Sequence, residues 1–115
     1  MDLTWITLGV VAALVIASQV LRQLGQISGP KARQLVKDGA KLVDVRTPGE
    51  YSAGHLPGAV NVPLQELGAR LKTLGAKEKP LVLYCASGTR SAMAKAVLKN
   101  AGFQQVFNLG GMGRW

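Results

Sequence analysis

The chain opens on an apolar stretch with no polar side to its pattern. From Leu3 to Leu21, "LTWITLGVVAALVIASQVL", no side chain carries a charge, while Asp2 precedes the run and Arg22 follows it. At 1.5 Å per residue, about 19 residues make roughly 28 Å of helix, close to the ~30 Å thickness of a bilayer's hydrocarbon layer. The pattern predicts a transmembrane helix over residues 1–22. It reads as uncleaved, because a signal peptide carries a basic n-region and this flank offers only Asp2 and the α-amine. Arg22, Lys31, Arg33 and Lys37 follow the span, so the positive-inside rule gives a single-pass protein with its C-terminal domain in the cytoplasm. Gly9, Ala13 and Ala17 recur at i, i+4 and i+8. Such a small-residue stripe lets two helices approach closely and offers a contact for a homodimer, though small residues are common in spans without one.

Beyond the linker, residues 23–28, the periodicity changes. Ser28 or Gly29 caps a helix that Pro30 opens and Gly39 stops. "KLVDV" (41–45) reads as a buried strand, and the turn-rich "TPGEYSAGHLPGA" holds at most one helical turn around Glu50. "AVNVPL" gives a short second strand. Leu64, Leu67, Leu71 and Leu74 repeat at helical spacing. "PLVLYC" is continuously apolar, as parallel strands covered on both faces tend to be. "SAMAKAVLKNAG" is helical, with Ala92, Ala96 and Val97 expected inward, and "QQVFNL" forms the last strand. Strand and helix alternate from Lys41 onward. That order predicts an α/β fold, a parallel sheet flanked by helices on both faces.

Composition narrows the function. The net charge is +8, but the Lys and Arg residues are scattered without a basic cluster or interleaved aromatics, which excludes nucleic acid as a partner. The juxtamembrane ones suit anionic headgroups. One cysteine and one histidine cannot supply a zinc site, so no metal is expected.

The lone cysteine sits where chemistry is expected. In parallel sheets ligands bind beyond the carboxyl ends of the strands, and Cys85 directly follows "PLVLY". Residues Cys85 to Arg90, "CASGTR", join that strand to a helix through tiny side chains. Gly88 permits a curl, and Ala86, Ser87 and Thr89 leave the amides unobstructed. Successive N–H groups can then aim at one centre and, with the helix's positive end, favour thiolate over thiol. Arg90 adds planar donors for an approaching oxyanion. The plainer alternative is a buried structural cysteine at a strand end.

Three stretches, "LVDVRTPGEYSAGHLPGAVNVPL" (42–64), "LVLYCASGTRS" and "NLGGMGRW", closely resemble single-domain rhodaneses, the thiosulfate and persulfide sulfurtransferases. The resemblance covers residues 29 to 115. It implies a rhodanese-like domain in which Cys85 takes a sulfane sulfur from a small anionic donor, holds it as a persulfide, and passes it to a thiol or cyanide acceptor. It implies a cradle of Cys85, Ala86, Ser87, Gly88, Thr89 and Arg90 and no cofactor. The cell-cycle phosphatases that resemble this family have a loop one residue longer, suited to phosphate; a cysteine-based phosphatase or arsenate reductase is the remote alternative. The rival from another class is a non-catalytic, membrane-tethered interaction module.

Asp44 and Arg46 end the first strand beside the expected site. They are pocket-shaping candidates, with an ion pair of Arg46 and Glu50 bracing the turn as the stronger expectation. His55, in the family's Gly-His pair, reads as support for that turn. Met112 or Trp115 is expected at the entrance. Family members commonly continue past the Gly-Gly segment, so a stop at Trp115 suggests a short last helix and an open pocket. Efficient thiosulfate users often carry more than one basic residue in the loop, so a single arginine favours a protein or low-molecular-weight persulfide as donor.

Overall fold

The computed structural model describes residues 2–115; for Gln19 and residues 21–24 it describes the backbone alone. Helix α1 spans Leu3–Leu24, and its large apolar side chains are exposed, from Leu3 at 77% and Trp5 at 71% to Val15 and Ile16. Among the described residues, however, no helix is long and apolar enough to cross a membrane. The expected single-pass anchor over residues 1–22, with its membrane localisation and cytoplasmic orientation, is corrected on that finding. The strictly apolar part of the helix is short. Thr4 and Thr7 place hydroxyls in the first turns, Thr7 donating to the Leu3 carbonyl at 2.9 Å. The stretch without a polar side chain runs only from Leu8 to Ala17, about 15 Å of helix against the ~30 Å of hydrocarbon. Met1 and the side chains of Leu21 and Arg22, which that expectation included, lie outside the described residues.

Helix α2 (Gly29–Lys37) starts as its sequence dictates: the Ser28 hydroxyl accepts from the Lys31 N–H, and Pro30 occupies the first turn. Four strands follow, β1 (Lys41–Asp44), β2 (Val60–Asn61), β3 (Leu81–Cys85) and β4 (Val106–Gly111). They form one parallel sheet in the order β2-β1-β3-β4. β3 is therefore interior, and all five of its residues are buried. Its alternate side chains feed two cores. Leu81, Leu83 and Cys85 join Val43, Ala94, Leu98 and Phe103 on one face. Val82 and Tyr84 join Ala32, Leu42 and Leu109 on the other. Helix α3 (Pro48–Ala53) is the helical turn expected around Glu50, closed by a capping box between Thr47 and Glu50.

Two local expectations change. The segment from Leu64 to Leu74 is not one helix but two 3-10 helices, Leu64–Ala69 and Leu71–Leu74, with Leu67 and Leu74 turned inward. Spacings of three suit the tighter helix equally well, and short 3-10 pieces serve as connectors. Helix α4 (Thr89–Asn100) buries Ser91, Ala94 and Leu98, whereas Ala96 and Val97 are exposed and Ala92 is half-buried. The helix is rotated by about one residue, near 100°, from the phase its alanines suggest. In this phase the buried Ser91 places its hydroxyl 3.4 Å from the Cys85 sulfur.

Candidate active site

Cys85 ends the interior strand β3 and Gly88 caps α4, so three residues turn the chain from sheet to helix. The turn is tight because Gly88 takes the left-handed conformation, φ +105°, which a side chain resists. It carries the Gly88 N–H onto the sulfur, donating to Cys85 Sγ at 3.0 Å. The Ser91 hydroxyl lies 3.4 Å from the same sulfur and also meets the Gly88 carbonyl at 3.1 Å. Cys85 is only 1% exposed. Burial alone pushes a thiol up, but the Ser91 hydroxyl and the N–H groups of Ser91, Gly88 and Ser87 outweigh it and hold Cys85 below its ordinary value. Hydrogen bonds to the charged form explain that sign, and the start of α4 adds its positive end.

Strand β4 presses on this loop from the side. A Cβ built on Gly111 would lie 3.0 Å from the Ala86 carbonyl, and one on Gly88 would lie 3.4 Å from the Gly110 Cα. Asn108, itself buried, accepts the Gly110 N–H on its side-chain oxygen at 2.8 Å. The register slips at this point, Leu83 facing Asn108 and Tyr84 facing Gly110. That bulge lets the Gly-Gly segment curl over the loop.

The arginine at the far end of the loop is engaged. Arg90 meets Glu50 through two hydrogen bonds, 2.7 and 3.0 Å. Glu50 is held down to about 2, by Arg90 first and by Thr47 second. A carboxyl with so low a value stays ionised through the neutral range, so the pair persists there. Arg46 does not pair with Glu50, as the sequence suggested. It binds Asp44 in bidentate fashion, with contacts from 2.7 to 3.1 Å, and donates to the Gly54 carbonyl at 2.7 Å. Its guanidinium is raised by the Asp44 hydrogen bonds. Glu50 is drawn off instead because it reaches Arg90 while capping α3. His55 stacks on the Tyr51 ring at 3.7 Å and contacts the Tyr51 carbonyl through Nδ1. Met112 and Trp115 pack, partly buried, against the α2-side core.

Sequence reasoning singled out Cys85 and the 86–90 cradle but passed over Ser91 and the Glu50–Arg90 pair. The serine had a signal, since it directly follows the cradle. The pair had none, because Glu50 and Arg90 are 40 positions apart.

A lone thiol at the carboxyl end of an interior parallel strand, curled in amides at the head of a helix, defines an α/β protein of the cysteine-loop class. The Rhodanese-like domain family matches residues 29–115. The chain belongs to that family. The protein named "Uncharacterized protein YqhL" of Bacillus subtilis (strain 168) is 40% identical over 77 residues, covering 66% of this chain and 60% of its own length. The thiosulfate sulfurtransferase PspE of Escherichia coli (strain K12) is 38% identical over 71 residues, 61% of this chain and 68% of that protein. The solved structure of the human single-domain sulfurtransferase TSTD1 aligns with a TM-score of 0.64 at 30% identity, covering 79% of this chain and 91% of that one. The enzyme class these relatives support is the rhodanese-type sulfurtransferase.

Proposed function

We propose that the chain moves a sulfane sulfur from thiosulfate or a persulfide donor to a thiol or cyanide acceptor, through a persulfide on Cys85. The observation that carries this reading is the Gly88 N–H donating to the buried Cys85 sulfur, with the Ser91 hydroxyl 3.4 Å from the same atom. The Cys85 thiolate attacks the outer sulfur of the donor. A sulfur–sulfur bond forms, and the donor's own sulfur–sulfur bond breaks with its electron pair leaving on sulfite or on the donor thiol. The acceptor then attacks the outer sulfur and returns the thiolate. No external oxidant, metal or cofactor enters. The amides of Ala86, Ser87, Gly88, Thr89 and Arg90 cradle the persulfide, and Arg90 faces the donor. Asp44 and Arg46 shape the pocket only through the turn they brace.

Intact mass after incubation with thiosulfate or polysulfide tests the reading: wild type gains one sulfur and loses it again to cyanide. A thiol unmodified by every donor would favour a non-catalytic module instead.

The Glu50–Arg90 pair bears on the donor. With its charge matched by Glu50, Arg90 attracts a dianion weakly, which favours a thiol persulfide over thiosulfate. Glu50→Gln is expected to lower KM for thiosulfate about fivefold, the scale of one exposed ion pair, while turnover with a thiol persulfide stays unchanged. Steady-state kinetics with both donors decide it; an unaltered thiosulfate KM removes Glu50 from the account.

We read the assembly from α1. Its exposed apolar side chains are more than a monomer ordinarily leaves in water, and a Cβ on Gly9 would meet nothing within 4 Å. A second copy packed along Gly9, Ala13 and Ala17 would cover it. Sedimentation should give a dimer that Gly9→Leu/Ala13→Leu dissociates; a monomeric wild type refutes the pairing.

A further inference from the structure

The residue that closes the back of the cysteine loop comes from outside the family's matched segment. Gln26, between α1 and α2, forms a parallel bridge with Asn108, and the next residue, Ile27, donates to the Asn108 carbonyl at 2.9 Å. This short extension of the sheet edge lies beside the β4 bulge. From there the half-buried Gln26 side chain reaches over the sheet edge. A Cβ built on Gly110 would lie 2.6 Å from its Nε2 and 2.7 Å from its Cδ, and a Cβ built on Gly88 would lie 2.8 Å from Nε2. Both glycines have positive φ, +94° and +105°. The amide therefore occupies the space where both side chains would stand, wedged between the loop and β4.

We propose that Gln26 is a positioning residue for the cysteine loop, acting through Gly88. The proposal rests on the reading of Cys85 as the nucleophile. The Gly88 N–H holds the sulfur at 3.0 Å, and the left-handed Gly88 has no side chain of its own to fix it. The loop's outer side is solvent, since Ala86, Ser87 and Thr89 are exposed. Its inner side is β4, touching through Gly110 and Gly111. The remaining side is Gln26. Filling that side leaves Gly88 little room to back away from the sulfur, because a gap of even 0.5–1 Å forfeits much of a packing contact and hydrogen bonds weaken with distance and angle. A chain without this N-terminal segment would need another filler for the same space.

The test reads the loop rather than the fold. Gln26→Ala empties the wedge; Gln26→Met refills it with a side chain of similar length and no amide; Gln26→Asn, one methylene shorter, gives an intermediate filling should the alanine variant fail to fold. The rate of Cys85 alkylation by iodoacetamide is followed from pH 5 to 10 in the full chain. The expected result is a midpoint moved up by about half a unit in Gln26→Ala, less in Gln26→Asn, and unmoved in Gln26→Met. Sulfur transfer should fall about tenfold in kcat for the alanine variant with KM little changed. An alanine or asparagine variant with the wild-type midpoint overturns the proposal, whatever its melting temperature. So does a methionine variant that behaves like alanine. Alkylation needs no sulfur donor, so a chain that transfers no sulfur would sink the sulfurtransferase reading and leave this measurement decisive on its own.

Discussion

Replacing Cys85 by serine is expected to abolish turnover, a loss of at least about 10⁴-fold, as removal of a covalent nucleophile does elsewhere. Thiosulfate:cyanide kinetics measure it, and mass spectrometry should show no added sulfur. The serine keeps the loop, the helix end and the Ser91 hydroxyl, so binding survives while the attacking atom does not. Its hydroxyl is not ionised near neutral pH, and the chain's one histidine, His55, is engaged with the Tyr51 carbonyl. The native thiol differs because its pKa is lowered, burial opposing and Ser91, Gly88 and Ser87 prevailing. The sign follows directly. A lowered value makes the thiolate fraction below neutral pH larger than that of a free cysteine, so alkylation there is faster than that of a free thiol and fades as pH falls through the depressed value. Ser91→Ala removes the leading favourable partner and should move that profile to higher pH. Measurable serine-variant turnover, or a profile centred no lower than that of a free cysteine, would contradict a loop-stabilised thiolate.

That prediction could be framed from the sequence, and the reason is local. "PLVLYCASGTRS" contains both the strand and the helix start, so everything that sets Cys85 against its amides lies within a few residues. Periodicity gave the parallel sheet for the same reason, through the unbroken apolar run of β3. Features joined across long separations were not legible. Arg90 meets Glu50, Gln26 meets Gly88 and Gly110, and Asn108 holds the β4 bulge only because the fold brings them together. Helix α4 shows the boundary between the two cases. Its extent was plain, but its rotation depends on Ser91 turning to the sulfur, a tertiary contact that overrides the weak preference of its alanines. The apolar N-terminal run is a separate case: among the described residues no helix is long and apolar enough to cross a membrane, and its strictly apolar part is Leu8–Ala17.

The largest stability effect should come from Asp44, which does its work in the sheet rather than in the chemistry. Its carboxylate is fully buried at the end of β1 and accepts from the Arg46 backbone N–H as well as from Nε and Nη2 of the same residue. Arg46 is 8% exposed and lies over the Tyr84 ring at 5.8 Å, whose phenol burial has pushed up to about 12. Asp44→Ala would leave a guanidinium in that setting without its carboxylate, held by the Gly54 carbonyl and the Tyr84 phenol. Removing one member of a buried pair costs about 3–5 kcal/mol, since the other charge stays desolvated without compensation. Removing both is far cheaper, because an apolar replacement of similar volume carries no such penalty. Asp44→Ala/Arg46→Met should therefore recover most of the stability lost by Asp44→Ala, a coupling readable by urea denaturation of the four proteins in a double-mutant cycle. Arg46 and Asp44 flank the turn that carries Glu50 to Arg90, so the double variant should fold yet lose donor discrimination. A cost below about 1 kcal/mol for Asp44→Ala, the range of an exposed pair, would show that water reaches this corner and that the turn stands without it.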